Sequence, residues 1–179
     1  MIAITLFTIV MIIGTGAVLQ TNTVHKKTQS VRSAVDNLNF IMEDMARNLR
    51  LGANYHCLAN GDPYVQPTPQ TPSNCANSTA ISFIPTSGTT NNDVVYRLDP
   101  ATSYSTLQKS KDGGSTFSTL TPAEVVINSA KSGFTVIGAL NNDQIEPRVI
   151  IRLSGTVNYK NLPTTFNLET TVSQRLLDL

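Results

Sequence analysis

Residues 1–51 read MIAITLFTIVMIIGTGAVLQTNTVHKKTQSVRSAVDNLNFIMEDMARNLRL, and the rest of the chain must fold around them. Met1 to Leu19 carry no charge. The chain then continues, without a proline, into a polar stretch whose apolar residues keep helical spacing. Val24, Val31, Val35, Leu38, Ile41, Met45 and Leu49 form the stripe of an amphipathic helix. Glu43 and Arg47 stand one turn apart in the order that supports a helix. As one helix the segment spans about 75 Å at 1.5 Å per residue, more than a compact domain of this size requires. Residues 1–19 approach the roughly 20 apolar residues that cross a bilayer. Residues 20–51 have one dry face and need cover on that side only.

Three other roles compete for residues 1–19. A secretory signal would open with basic residues and close with small ones before a cleavage point, yet no basic residue precedes His25. A single-span anchor fits better. A buried core helix fits worst, because the apolar run is long and the chain beyond it is β-like. His25, Lys26 and Lys27 favour a cytoplasmic flank after the span, whereas the cysteines favour the opposite compartment.

The chain has 179 residues, a net charge of +1 and only 14% charged residues, which suits one folded domain plus the rod. Nucleic acid is not an expected partner, since no basic patch has the required density. The polar positions are largely Thr, Ser and Asn, a composition suited to a β-rich extracellular surface. With no Trp, the core must come mainly from Val, Ile and Leu.

Cys57 and Cys75 are the only cysteines. They bracket a segment rich in Pro, Asn, Thr and Gln that has little to bury, and a disulfide there contributes about 3 kcal/mol in the chain-entropy picture. With only His56 nearby they fall short of a four-ligand metal site. A disulfide places the domain in an oxidising compartment. Asn77-Ser78-Thr79 matches the N-glycosylation pattern, which matters only in a host with that machinery.

Gly52 is a natural stop for the helix. Asn60-Gly61-Asp62-Pro63 reads as a turn. Strands are expected at Ala80–Ile84, Val94–Leu98, Tyr104–Lys109, Ser115–Leu120, Val125–Asn128 and Phe134–Gly138. The 86–93 and 141–147 stretches read as loops. Asp112-Gly113 signals a hairpin. Thr121 to Glu124 fits either a helix start or a turn. Val149, Ile151, Leu153 and Val157 share one face of a strand, and Phe166, Leu168, Thr170 and Val172 share one face of its antiparallel partner. The expected fold class is α+β: a helix over residues 1–51, a disulfide-tied loop over 52–79, and a small antiparallel sheet over 80–179 whose dry face the second half of the helix covers.

Catalytic chemistry finds few residues. His25 falls where a helix leaves a bilayer, and His56 sits beside a cysteine expected to be paired. Glu43 and Asp44 point from adjacent helix positions. Gly113-Gly114 lacks the helix and lysine of a phosphate loop. No nucleophile–base–orienter set can be assembled. The expectation is a non-enzyme without cofactor or metal.

An uncharged helix that runs into an amphipathic one, followed by a Thr/Asn-rich antiparallel sheet, resembles the type IV pilins and pseudopilins. Residues 31–50, VRSAVDNLNFIMEDMARNLR, look like the helix of minor pilins and J-type pseudopilins, and residues 166–175, FNLETTVSQR, resemble their last strand. The resemblance implies a subunit of a type IV pilus or secretion pseudopilus. Its N-terminal half would sit once through the inner membrane. It would then be extracted into a surface filament, packing there against copies of itself or other pilins. That transfer keeps the apolar surface dry and every backbone group satisfied. The packing residues would be Ile2, Ile4, Leu6, Phe7, Ile9, Val10, Ile12, Ile13, Val18 and Leu19. Gly14 and Gly16 would allow close contact or a bend. The family pattern has a glycine cleavage site and a mature N-terminus with Glu at its fifth position, where this chain has Thr5. Either the chain starts a few residues inside that motif or it is a variant without the glutamate; the first is favoured, because Met-Ile-Ala-Ile reads like the middle of such a segment. Processing and N-terminal methylation depend on that start. The cysteine pair also sits just after the helix, not around a C-terminal loop as in many pilins. The alternative is a monomeric, membrane-tethered extracellular binding or adhesin domain.

Overall fold

The computed structural model describes residues 2–57, 71–86, 93–99, 104–140, 143–160 and 162–175. The side chains of residues 17–19, 23 and 104 lie outside that description, as do the expected turn at Asn60–Pro63 and most of the 86–93 loop.

Helix α1 runs unbroken over Ile2–Arg50, with Gly14 and Gly16 inside it. Its buried face consists of Ala34, Leu38, Ile41, Met42, Met45 and Leu49, with Val31 partly covered. Val24, read as part of the same stripe, is exposed, because the folded head reaches only the last five or so turns at 3.6 residues each. The Glu43–Arg47 ion pair does not form among the described residues. Instead Asp44 reaches across to Lys109, 3.0 Å away.

The helix ends without a left-handed glycine. Three carbonyls at its end, which the helix itself leaves unpaired, find three separate donors. The Tyr55 hydroxyl donates to Leu49 O at 2.6 Å, Arg175 N donates to Arg50 O at 2.9 Å, and the Thr86 hydroxyl donates to Leu51 O. Gly52 is the first residue of strand β1 (Gly52–Cys57). It is glycine for want of room, since a Cβ there would collide with the Phe83 ring.

The head is larger than the single small sheet expected. Its first sheet is antiparallel, in the order β1, β3 (Ala80–Pro85), β4 (Val94–Leu98), β6 (Leu107–Ser110), β7 (Ser118–Thr119). The second sheet is built on β10 (Arg148–Tyr159), which pairs along its whole length with β11 (Leu162–Ser173). The expected faces hold, with Val149 opposite Val172, Ile151 opposite Thr170 and Leu153 opposite Leu168. The other edge of β10 is shared end to end by β9 (Gly133–Ile137) and β8 (Val125–Asn128). A short 3-10 turn, Ser129–Lys131, separates them. Ser132 repairs the gap in the ladder: its hydroxyl donates to Ser154 O at 3.1 Å and accepts from Ser154 N at 2.9 Å. Beyond lie β2 (Cys75–Ser78) on β9 and β5 (Tyr104–Ser105) on β8.

The run Tyr104–Lys109, expected as one strand, breaks at Thr106 because β5 belongs to one sheet and β6 to the other. The hairpin after β6 is wider than Asp112-Gly113 suggested. The Asp112 carboxylate accepts from the Ser110 hydroxyl at 2.6 Å, from Thr116 N at 2.9 Å and from the Thr116 hydroxyl at 2.6 Å. These bonds hold its pKa down at about 2. Thr121 to Glu124 form a turn, with Val125 N bonded to Pro122 O.

The segment read as a tied loop contributes a strand at each described end, β1 to the first sheet and β2 to the second. Each is bulged by an asparagine with positive φ, Asn54 and Asn77, the residue type that best tolerates that conformation. Cys57 and Cys75 are bonded to each other, so the disulfide joins an edge of one sheet to an edge of the other.

Helix α1 packs on β10 and β11 and also touches β1 and β3, closing the seam between the sheets. Beneath it Tyr55, Phe83 and Tyr96 form an aromatic row with centroids 6.4 and 6.0 Å apart. Tyr96 OH accepts from Asn48 Nδ2 at 2.9 Å, and Asn48 also donates to Asp44. Burial alone would lower the Lys109 pKa, but bonds to Tyr96 and Asp44 outweigh it and hold the ammonium above its ordinary value.

Two substitutions test these connections. Tyr55→Phe leaves Leu49 O and Gly52 O without the hydroxyl they share and should cost about 1–3 kcal/mol in denaturant unfolding. The double change Cys57→Ser and Cys75→Ser should cost about 2–4 kcal/mol in the same measurement.

Candidate functional site

The surface with the most unmet physical demand is the first half of α1. Ile2, Ile4, Leu6, Phe7, Ile9, Val10, Ile12 and Ile13 are all exposed, from 56% at Ile9 to 81% at Ile2. Met11 lies among them, also exposed. Consecutive positions on a helix point about 100° apart, so this run is apolar on every side and has no wet face. It is the one helix among the described residues that is long and apolar enough to cross a membrane, and none of its apolar window is buried. A fully buried side chain of this kind is stabilised by about 1.5–3 kcal/mol over an exposed one. Left in water, the segment forgoes that gain many times over, and apolar patches of this size mark contact with lipid or protein.

The threonines within it do not spoil the surface. Thr8 donates to Ile4 O and Thr5 O at 3.0 and 2.9 Å, Thr5 to Ile2 O at 2.8 Å, and Thr15 to Met11 O at 2.7 Å. Each hydroxyl is satisfied by its own helix, which suits an environment without water. A Cβ added to Gly14 or Gly16 would meet nothing within 4 Å, so the fold of this chain makes no steric demand for glycine at either position. The side chains of Val18 and Leu19 lie outside those described.

The other candidates sort differently. Cys57 and Cys75 are paired with each other. His56 Nδ1 lies 2.9 Å from Thr71 O and 3.3 Å from the Ser73 hydroxyl, a link that holds the far side of the tied segment against β1. Among the described residues no group of three or more His, Cys, Asp or Glu could hold a metal ion.

One buried group escaped the sequence. Asp93, read as the end of a loop, is fully buried, and neither carboxylate oxygen has a hydrogen-bond partner among the described residues. Burial raises its pKa, and the nearby charge of His56 lowers it only in part. An Asp before a strand signals a turn and carries no mark of burial, so nothing in the chain pointed to this.

Comparison with models of known protein families, with curated proteins and with solved structures returns no match.

Because the Asp93 pKa is raised in the folded state, its contribution to stability is fully present below the ordinary carboxylate value of about 3.9. That contribution is lost as pH rises through the folded value. Asp93→Asn should therefore be more stable than the parent at pH 7, by about 1–3 kcal/mol. The gap should close towards pH 4, as read by denaturant unfolding at the two pH values.

Proposed function

We propose that this chain is a pilin-like structural subunit of a type IV pilus or a related secretion pseudopilus, assembling through the first half of α1. The observation that carries the proposal is the all-round apolar surface of Ile2 to Ile13, continuous with a second half whose one dry face is already covered by the head. A helix of that form is at home in lipid and equally at home in a bundle of its own kind. The inner membrane would hold the subunit before assembly. The filament would then take up Ile2, Ile4, Leu6, Phe7, Ile9, Val10, Ile12, Ile13, Val18 and Leu19 in contacts between helices. Gly14 and Gly16, unconstrained within the chain, would allow neighbouring helices to approach closely. The disulfide suits a head that lives outside the cytoplasm.

Ile9→Lys or Ile12→Lys should abolish filaments, since a lysine at the centre of an apolar span costs about 2.5–3.5 kcal/mol. Gly14→Leu keeps the segment apolar, so it should leave membrane insertion intact and still impair assembly. The readout is the sheared surface fraction together with the detergent-extracted membrane. Subunits found only in the membrane for the parent chain would favour a tethered monomeric binding domain instead.

A further inference from the structure

A groove runs between the packed half of α1 and the outer edge of β11. Its lower part, about 320 Å³, lies between Asn39 and Met42 on the helix and Leu168, Glu169 and Thr170 on the strand. Its upper part, about 450 Å³, shares Glu43 and Ala46 with the lower one and continues to Arg47, Arg50 and Arg175. Successive side chains of a strand point to opposite faces. Three consecutive residues of β11 therefore line one groove only if it follows the strand's edge.

That edge is open. Among the described residues β10 is the only strand that pairs with β11. At every second residue of β11 the backbone N–H and C=O therefore point away from β10. Pro163, second in the strand, is a residue that sheets accept at edges, bulges and strand starts. The length is unusual for an unpaired edge: β11 has 12 residues.

The upper end is charged. Arg47, Arg50 and Arg175 form no ion pair among the described residues, where the ion pairs are Lys109–Asp44 and Arg152–Glu169. Among the described residues Glu43 is the one carboxylate lining that end. Arg47 and Arg50 also complement the C-terminus of α1, but Arg175 comes from the opposite wall. Among the described residues, arginines from both walls thus outnumber the carboxylates at this end. The floor is apolar, with Met42 buried and Ala46 and Leu168 half-buried.

We propose that this groove binds an extended peptide segment of a partner protein, added to β11 as a further antiparallel strand. Backbone pairing along β11 supplies the affinity. Alternate apolar side chains rest on Met42, Ala46 and Leu168. A carboxylate near the start of the segment meets Arg47, Arg50 and Arg175, because an antiparallel strand begins where β11 ends. The site is independent of how the first half of α1 is used.

The test uses the full chain in detergent micelles and an acetylated, amidated octapeptide of alternating valine and threonine that begins with aspartate. Hydrogen exchange followed residue by residue should show β11 amides protected on adding the peptide, with β10 amides unchanged. Replacing the aspartate by lysine, or Arg175→Glu in the protein, should weaken binding about tenfold or more. Arg175→Gln should give an intermediate loss. Methylating alternate peptide nitrogens should abolish the protection. Unchanged exchange in β11 at saturating peptide would overturn the proposal. So would binding indifferent to both charge and methylation, or protection that grows with the concentration of the chain alone, which marks self-pairing.

Discussion

Everything in the head depends on one contact surface, the face of α1 from Ala34 to Leu49 laid over the seam of two sheets. Neither sheet is a sandwich by itself. Each turns apolar side chains toward the helix, and Leu38, Met45 and Leu49 are the largest of its fully buried side chains. Truncating any one of them to alanine belongs to the class of change that costs about 2–5 kcal/mol. The helix is therefore the third layer of the core, and its C-terminal half could not be drawn away from the head without exposing both sheets. The N-terminal half is bound by no such contact. One unbroken element thus does two jobs, fixing the head with one half and leaving the other half free to meet an apolar environment.

Much of this could be read from the residues. The continuous helix and its buried stripe follow from the spacing of Leu38, Ile41, Met45 and Leu49. The pairing of β10 with β11 follows from strict alternation in Val149–Val157 and Phe166–Val172. What stayed hidden are the places where long-range packing overrides local pattern. Gly52 looks like a helix cap and is in fact a close approach to the Phe83 ring. Residues 104–109 look like one strand, but the chain changes sheets at Thr106, which no periodicity encodes. The Pro-rich composition between the cysteines masked the strands at either end of that segment, because each carries an asparagine bulge that breaks the period of two.

The candidate surface was legible because it depends on composition alone: an uncharged run is apolar whatever surrounds it. The groove beside β11 was not, because it needs the topology. Arg175 and Arg47 are far apart in sequence, and only the return of β11 alongside α1 brings them to one opening. Asp93 belongs to the same kind, since a carboxylate becomes a liability only when the fold closes over it.

The position of the disulfide has a mechanical consequence. Strand β1 continues almost directly from the end of α1, so tension along the rod that overcomes the packing of α1 next reaches the head at Gly52. An edge strand pulled by one end peels away one hydrogen bond at a time. Here Cys57, at the far end of β1, is bolted to Cys75 in the opposite sheet. The load is therefore divided between two sheets before it can unzip either.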